Sequence, residues 1–142
     1  MPTAVFLPAR KPKRQRCPLY LARVPAGFPS PAEDHKDRDL DLNEHLVKHP
    51  AATYFVRAAG DSMRDAGIFD GDLLVVDRSL APRNGSVVVA AVNGELTVKR
   101  LKKCGNRPYL SPENPAHLPI WIDEGETLEV WGVVTHVVHP LA

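Results

Sequence analysis

The sequence predicts a mostly β protein, in which a compact β-rich body follows an extended N-terminal arm. From residue 53 onward, short runs of β-branched and aromatic residues alternate with Gly, Asn, Asp and Pro, a pattern typical of strands joined by tight turns. Before residue 32, seven prolines disfavour both helices and sheet ladders and favour an extended chain. The 142 residues are enough for one domain with its own hydrophobic core.

Three segments follow one another along the chain. Residues 1–26 are predicted to form a flexible basic arm, and residues 27–50 an extended linker with a short helix near "LNEHLVKH". Residues 51–142 form the β-rich body, with strands expected at 53–58, 72–77, 86–92, 95–101, 119–122 and 128–138. Within the body, "VNGEL" at 92–96 predicts a hairpin, because Asn-Gly accepts the positive φ angles of a type I′ turn.

The net charge of +1 conceals a difference between the arm and the rest of the chain. Residues 27–142 carry twelve basic and seventeen acidic side chains, so their charge is −5. The arm has a charge of +6, from Arg10, Lys11, Lys13, Arg14, Arg16 and Arg23. A solvated tail is the simplest interpretation of the arm. The alternatives are contact of the arm with DNA, or with the acidic body until the arm is cut away.

Composition argues against several classes of protein. Cys17 and Cys104 are too few for a disulfide framework or a zinc site, and free thiols indicate a reducing compartment. No apolar run approaches the roughly 18 residues of a membrane span, and the N-terminal charges follow the apolar residues, which reverses the order of a secretory signal. His136 and His139 should face opposite sides of a strand, which argues against a shared metal. We therefore expect a soluble, cytoplasmic protein with no membrane partner, cofactor or metal.

Two side chains in the body suggest nucleophilic chemistry. Ser62 lies in a glycine-flanked turn, "AAGDSMRDAG", and Lys99 lies among apolar neighbours in the predicted strand 95–101. A serine hydroxyl needs a base, and a lysine amine can act as one when burial lowers its pKa from the free value of about 10.4. Alone, Lys99 is more simply interpreted as a side chain that snorkels to solvent. Together with the Ser62 turn, it indicates a Ser-Lys nucleophile and base.

The segment "GDSMRDAGIFDGDLLVVDRS", followed by "VNGELTVKRL", resembles the self-cleaving serine peptidases of the LexA and UmuD family, and most of all the UmuD-like members. The resemblance covers nearly everything after residue 25, and the Ser-to-Lys interval of 37 residues is the one that this family shows. Ser62 matches the nucleophile and Lys99 the general base, while Ala26-Gly27 matches the self-cleavage site. UmuD-like proteins often have Cys-Gly at that site, whereas Ala-Gly is typical of LexA-like repressors.

The resemblance implies a compact β-fold like the C-terminal domain of the LexA and UmuD proteins, and a homodimer. It also implies activation by the RecA filament on single-stranded DNA. The cleaved 27–142 form is expected to join a Y-family polymerase subunit of the UmuC type in SOS mutagenesis. Gly60 and Gly67 permit a tight turn, and the backbone amides of residues 61–63 are the expected donors to the developing oxyanion.

Three other functions are less consistent with the sequence. A LexA-like repressor needs an N-terminal helix-turn-helix domain, which 26 proline-rich residues are not expected to form. The main alternative is a non-enzymatic β binding module whose basic arm contacts DNA. A third hypothesis, hydrolysis of other proteins in the manner of signal peptidase, requires a membrane anchor that the sequence does not predict.

Overall fold

A computed structural model describes residues 5–8, 14–20, 23–29, 31 and 36–142. The chain divides into two compact units. One unit is Lys11–Lys48, and the other combines Met1–Arg10 with His49–Ala142. Three of the basic residues predicted for the arm, Arg10, Lys11 and Lys13, lie outside the described residues.

The described residues of the unit Lys11–Lys48 form a two-stranded antiparallel sheet and a short helix. Strand β2, Arg16–Tyr20, pairs with β3, Lys36–Asp41. Helix α1, Leu42–Leu46, follows at once, and the Asp41 carboxylate caps it by accepting a hydrogen bond of 2.9 Å from the Asn43 amide. This helix lies within the stretch where the sequence predicts one.

The expectation that prolines exclude sheet ladders from residues 1–30 is wrong at two strands. Strand β1, Val5–Phe6, pairs with the body, and β2 contains Pro18 opposite Asp39 of β3. Each strand of a two-stranded ribbon has one open edge, and a proline whose nitrogen faces that edge removes no ladder hydrogen bond. The segment is extended, as predicted, but partly paired.

The other unit is built on an eight-stranded antiparallel sheet. Strand order across the sheet is β1-β4-β5-β10-β6-β7-β8-β9. The long strand β10 lies between β5 and β6 and pairs with both. After β1, the strands are β4 Thr53–Arg57, β5 Leu73–Asp77, β6 Val87–Val92, β7 Glu95–Cys104, β8 Arg107–Ser111, β9 Ile120–Trp121 and β10 Leu128–Val138.

The mostly β fold predicted from the sequence is confirmed, and all six predicted strands of the body are present. The β6–β7 hairpin turns at Asn93 and Gly94, with φ of 49° and 83°, as a type I′ turn requires. Strand β8 was not predicted, because "RPYLS" has a proline and no β-branched residue. In the structure it pairs with the far end of β7 and buries Leu110 completely.

The core of this unit consists of two buried clusters. The smaller one contains Val88, Ala90 and Leu110. The larger one spans β4, β5 and β6 and also takes in three residues between β4 and β5, Ala58, Met63 and Ile68. The turn that carries Ser62 is therefore anchored in the core by its own apolar side chains.

The described residues contain neither a membrane-spanning helix nor a cluster of metal-binding side chains. Within the ranges given above, no helix has both the length and the apolar character needed to cross a membrane. Over the same residues, no group of three or more His, Cys, Asp or Glu side chains is arranged to hold a metal ion.

Candidate active site

The turn that carries Ser62 connects β4 to β5 and is closed at its base by backbone hydrogen bonds. The Ala58 amide donates to the Asp72 carbonyl, and the Gly71 amide donates to the Ala58 carbonyl, each at 2.8 Å. Gly60 and Gly67 have φ of 84° and 82°, a left-handed conformation that side chains with a Cβ rarely adopt. The turn therefore needs glycine where the sequence places it.

Lys99 lies in the middle of β7, opposite Val88 of β6, and reaches the Ser62 turn. Its Nζ donates to Ser62 Oγ at 2.8 Å, to Thr97 Oγ1 at 2.7 Å and to the Val98 carbonyl at 3.2 Å. Thr97 is two residues away on the same strand, so its side chain projects from the same face. The two residues that the sequence predicts as a pair are thus in direct contact.

Burial decides the electrostatic character of the Lys99 amine. The residue is only 9% exposed, and its three hydrogen-bond acceptors are two hydroxyls and a carbonyl, none of them charged. Burial lowers the pKa of Lys99 below its ordinary value, because the ammonium form loses hydration and gains no carboxylate partner. The neutral amine is therefore easier to form here than on an exposed lysine.

Ser62 and Lys99 line a cleft of about 250 Å³, here called the Ser62 cleft. The exposed residues Asp61 and His117 also line it. A small, largely apolar peptide segment is the kind of group that such walls accept. The apolar side chains of its lining are Ala58, Ala59, Met63, Ile68, Leu96 and Val98.

Residues 112–117, here called the clamp loop, hold the Ser62 turn through its main chain. The Glu113 amide donates to the Ser62 carbonyl, and the Asp65 amide donates to the Glu113 carbonyl, both at 2.8 Å. The Glu113 carboxylate is in turn paired with Arg100 on β7. The loop thus connects the turn that carries Ser62 to the strand that carries Lys99.

Two side chains of the clamp loop contact Asp61, the residue before Ser62. The Asn114 Nδ2 donates to the Asp61 carbonyl at 2.9 Å, and His117 Nε2 lies 2.7 Å from Asp61 Oδ1. The hydrogen bond from His117 lowers the pKa of the Asp61 carboxyl. Sequence reasoning singled out none of these clamp-loop residues, Glu113, Asn114 and His117.

The sequence offers little signal for these clamp contacts. Asn114 and Asp61 are 53 positions apart, and "PEN" is an ordinary loop composition. Only the excess of polar residues between two short apolar runs distinguishes the segment. That excess is typical of loops and does not indicate which partner the polar side chains contact.

The predicted cleavage site lies in the other unit. Ala26 and Gly27 belong to Lys11–Lys48, where both are exposed and residues 26–28 form a bend. Phe28, which follows, is 94% exposed. The structure thus brings Ser62 and Lys99 together, and it places the predicted scissile bond on an accessible stretch of chain.

Three other histidines of the same unit, His49, His136 and His139, do not line the Ser62 cleft. His49 Nδ1 lies 2.6 Å from Asp77, and His139 Nδ1 lies 3.1 Å from Asp72. Burial raises the pKa of Asp77, but hydrogen bonds from His49 and Ser79 outweigh it and lower the pKa overall. These pairs hold the ends of strands and offer Ser62 no base. His35 lies outside the described residues.

Comparison with known proteins gives consistent matches over most of the chain. The model of the family described as Peptidase S24-like matches residues 18–135. Protein MucA of Salmonella typhimurium is 51% identical over 127 residues, which cover 87% of this chain and 86% of MucA. Protein SamA of the same species is 46% identical over 132 residues, or 93% of this chain and 91% of SamA. A LexA repressor of Acidithiobacillus ferrooxidans is 47% identical over 117 residues, which cover 80% of this chain and 57% of the repressor.

Proposed function

The chain belongs to the Peptidase S24-like family as a UmuD-like member, and from this premise we propose that it is a self-cleaving serine peptidase of the SOS response. Ser62 is the nucleophile, Lys99 is the general base, and the Ala26–Gly27 bond is the substrate. The observation that supports this most directly is the 2.8 Å hydrogen bond between Lys99 Nζ and Ser62 Oγ in a largely apolar cleft.

As an ammonium, Lys99 donates to all three of its partners, and loss of one proton leaves an amine that can act as a base. A neutral amine has two N–H donors and one lone pair, and Lys99 has three partners. With the two N–H groups on Thr97 Oγ1 and the Val98 carbonyl, the lone pair faces Ser62 Oγ and accepts its proton. Thr97 and Val98 therefore select the orientation in which Lys99 activates the serine.

Cleavage then proceeds in two balanced steps. Ser62 Oγ attacks the carbonyl carbon of Ala26 while its proton moves to Lys99 Nζ, and the Lys99 ammonium then protonates the Gly27 nitrogen as the peptide bond breaks. The resulting ester between Ser62 and Ala26 is hydrolysed by water, which Lys99 deprotonates in the same way. The products are residues 1–26 and residues 27–142.

The residues at the scissile bond fit the Ser62 cleft. The side chain of Ala26 is small enough for a shallow apolar wall such as that of Met63 and Ile68. Gly27 has no Cβ to obstruct close approach of the backbone to the nucleophile. Because the substrate is part of the same chain, or of a partner copy in a homodimer, it reaches a high effective concentration without a site for free peptides.

Regulation follows from the protonation of Lys99. At neutral pH an open cleft favours the ammonium form, and the amine becomes neutral more readily when the cleavage segment covers the cleft and excludes water. An activator that increases the population of this covered state accelerates cleavage.

We propose the RecA filament on single-stranded DNA as that activator, and a cytoplasmic Y-family polymerase subunit of the UmuC type as the partner of the 27–142 form. In that complex the processed protein is the accessory subunit for translesion synthesis.

The proposal predicts one cleavage product with one new N-terminus. Incubation with RecA, ATP and single-stranded DNA should convert the chain to a species that begins at Gly27, detected by intact mass and N-terminal sequencing. RecA without DNA is the matched control and should leave the chain intact. An unchanged mass, or a cut at another bond, would contradict the proposal and favour the alternative of a non-enzymatic module with a basic arm. A pull-down of the polymerase subunit by the 27–142 form then tests the partner.

A further inference from the structure

We propose that Asn114 is a positioning residue for catalysis, because it fixes the peptide plane that aims the Ser62 amide at the developing oxyanion. The inference rests on the proposed function. It adds stabilisation of the oxyanion, which Ser62 Oγ and Lys99 do not supply. Attack of Ser62 Oγ on the Ala26 carbonyl forms a C–O bond and moves the carbonyl π electrons onto oxygen. That oxyanion needs N–H donors fixed in place before the reaction.

The carbonyl of Asp61 is held from two sides. It accepts a hydrogen bond of 2.9 Å from Asn114 Nδ2 and one of 3.2 Å from the Arg64 amide. The peptide between Asp61 and Ser62 is trans, so its N–H points opposite to its C=O. With the carbonyl turned towards Asn114, the Ser62 N–H points away from the Asn114 side chain.

The Ser62 amide is also left without a partner. Among the hydrogen bonds of the described residues, none has the Ser62 N–H as donor, whereas the Ser62 carbonyl accepts from the Glu113 amide at 2.8 Å. The Ser62 amide is therefore an unpaired donor beside the proposed nucleophile. The hydrogen bonds to the Asp61 carbonyl fix the plane of the peptide that contains it. Both properties are those of an oxyanion donor. The Ser62 amide is thus the donor that the clamp loop presents.

Asn114 is rigid enough for this role. It is only 5% exposed, and both ends of its side-chain amide are used, since Oδ1 accepts from the Ala116 amide at 3.0 Å while Nδ2 reaches Asp61. Asn114 lies outside the lining of the Ser62 cleft and contacts neither Ser62 Oγ nor Lys99. Its effect on the reaction therefore passes through the backbone alone.

The test uses a substitution that removes the relevant donor and, like its control, replaces an amide with a carboxylate. Asn114→Asp keeps the side-chain size and the oxygen that accepts from Ala116, but an ionised carboxylate does not donate to the Asp61 carbonyl. We expect self-cleavage to slow by roughly 100-fold or more, the usual cost of a misplaced oxyanion donor. Asn84→Asp is the matched control, because Asn84 is exposed and only accepts a hydrogen bond from the Lys103 amide. It should cleave at the normal rate.

A second readout separates positioning from general damage. Alkylation of Ser62→Cys by iodoacetamide needs the sulfur and its base but forms no oxyanion, and it is measured by mass after Cys17 and Cys104 have been replaced by serine. Adding Asn114→Asp to this variant should change the alkylation rate less than about threefold. If Asn114→Asp does not fold, as shown by the loss of a cooperative melting transition, Asn114→Ala replaces it. The rates of self-cleavage and of alkylation are then measured for that variant.

The outcomes are distinct. Slow cleavage with normal alkylation supports the positioning role. A normal rate of cleavage overturns it, because Asn114 would then have no effect on the reaction. A parallel fall in the rates of cleavage and alkylation also overturns it, because Asn114 would then support the site as a whole. Failure of the unsubstituted chain to cleave at all would instead contradict the proposed function.

Discussion

Replacing Lys99 with methionine should lower the rate of self-cleavage by about 10³-fold or more, within the range expected for loss of a general base. Methionine is close to lysine in length and fills the same buried space, but its thioether does not take a proton from Ser62 Oγ. The rate is measured with the RecA filament present, from the fraction of chain that begins at Gly27. Lys102→Met on the same strand is the matched control, since Lys102 is not in the Ser62 cleft, and it should retain cleavage.

The stability of the variant shows whether the loss is chemical. Because burial lowers the folded-state pKa of Lys99, its contribution to stability is complete above the unfolded value of about 10.4 and is lost as pH falls through the folded pKa. In a Ser62→Ala background that does not cleave, Lys99→Met should melt within about 5 °C of its parent at pH 7. The parent should gain stability relative to the variant as pH rises towards 10. A gain by the variant over that range would mean that the amine is not held in a desolvated site.

Replacing Ser62 with alanine should abolish cleavage completely. Among the described residues, Thr97 is then the one hydroxyl that still forms a hydrogen bond with Lys99. Thr97 shares the strand of Lys99 and is not on the turn that the clamp loop holds. The variant should show no product at Gly27 under conditions that cleave the unsubstituted chain.

A covalent probe tests the same residue without the arm as substrate. A fluorophosphonate forms a bond between phosphorus and an activated serine oxygen, with fluoride as the leaving group, and the adduct is located by peptide mass. We expect the label on Ser62 in the unsubstituted protein and no label on Ser62 in Lys99→Met. Equal labelling of Ser62 in both proteins would show that Lys99 does not activate it.

The sequence predicted the body of the fold well where local chemistry decides the structure. Asn93 and Gly94 determine the β6–β7 turn, and the alternation that follows determines which residues of β7 share a face. These two features place Lys99 and Thr97 on one side of the strand. The glycine-flanked turn of Ser62, together with the resemblance to the LexA and UmuD family, then predicted the contact that the structure contains.

The features that the sequence did not predict depend on distant partners. Strand β8 contains Pro108 and forms because it pairs with β7 and buries Leu110. Strand β2 tolerates Pro18 because it belongs to a two-stranded ribbon. The clamp loop is a polar segment whose function depends on hydrogen bonds to a turn some 50 residues away, and no local pattern encodes such contacts.

The central claim is that an uncharged Lys99 amine activates Ser62, and the dependence of self-cleavage on pH tests it most directly. The rate is measured without RecA between pH 6 and 10, by mass, for the unsubstituted chain and for Lys99→Met. The neutral fraction of an amine rises about tenfold for each pH unit below its pKa, so the rate of the unsubstituted chain should rise in the same way and level off above the folded pKa of Lys99. Lys99→Met should show no such rise. A rate that is independent of pH over this range, with the product still beginning at Gly27, would contradict the account.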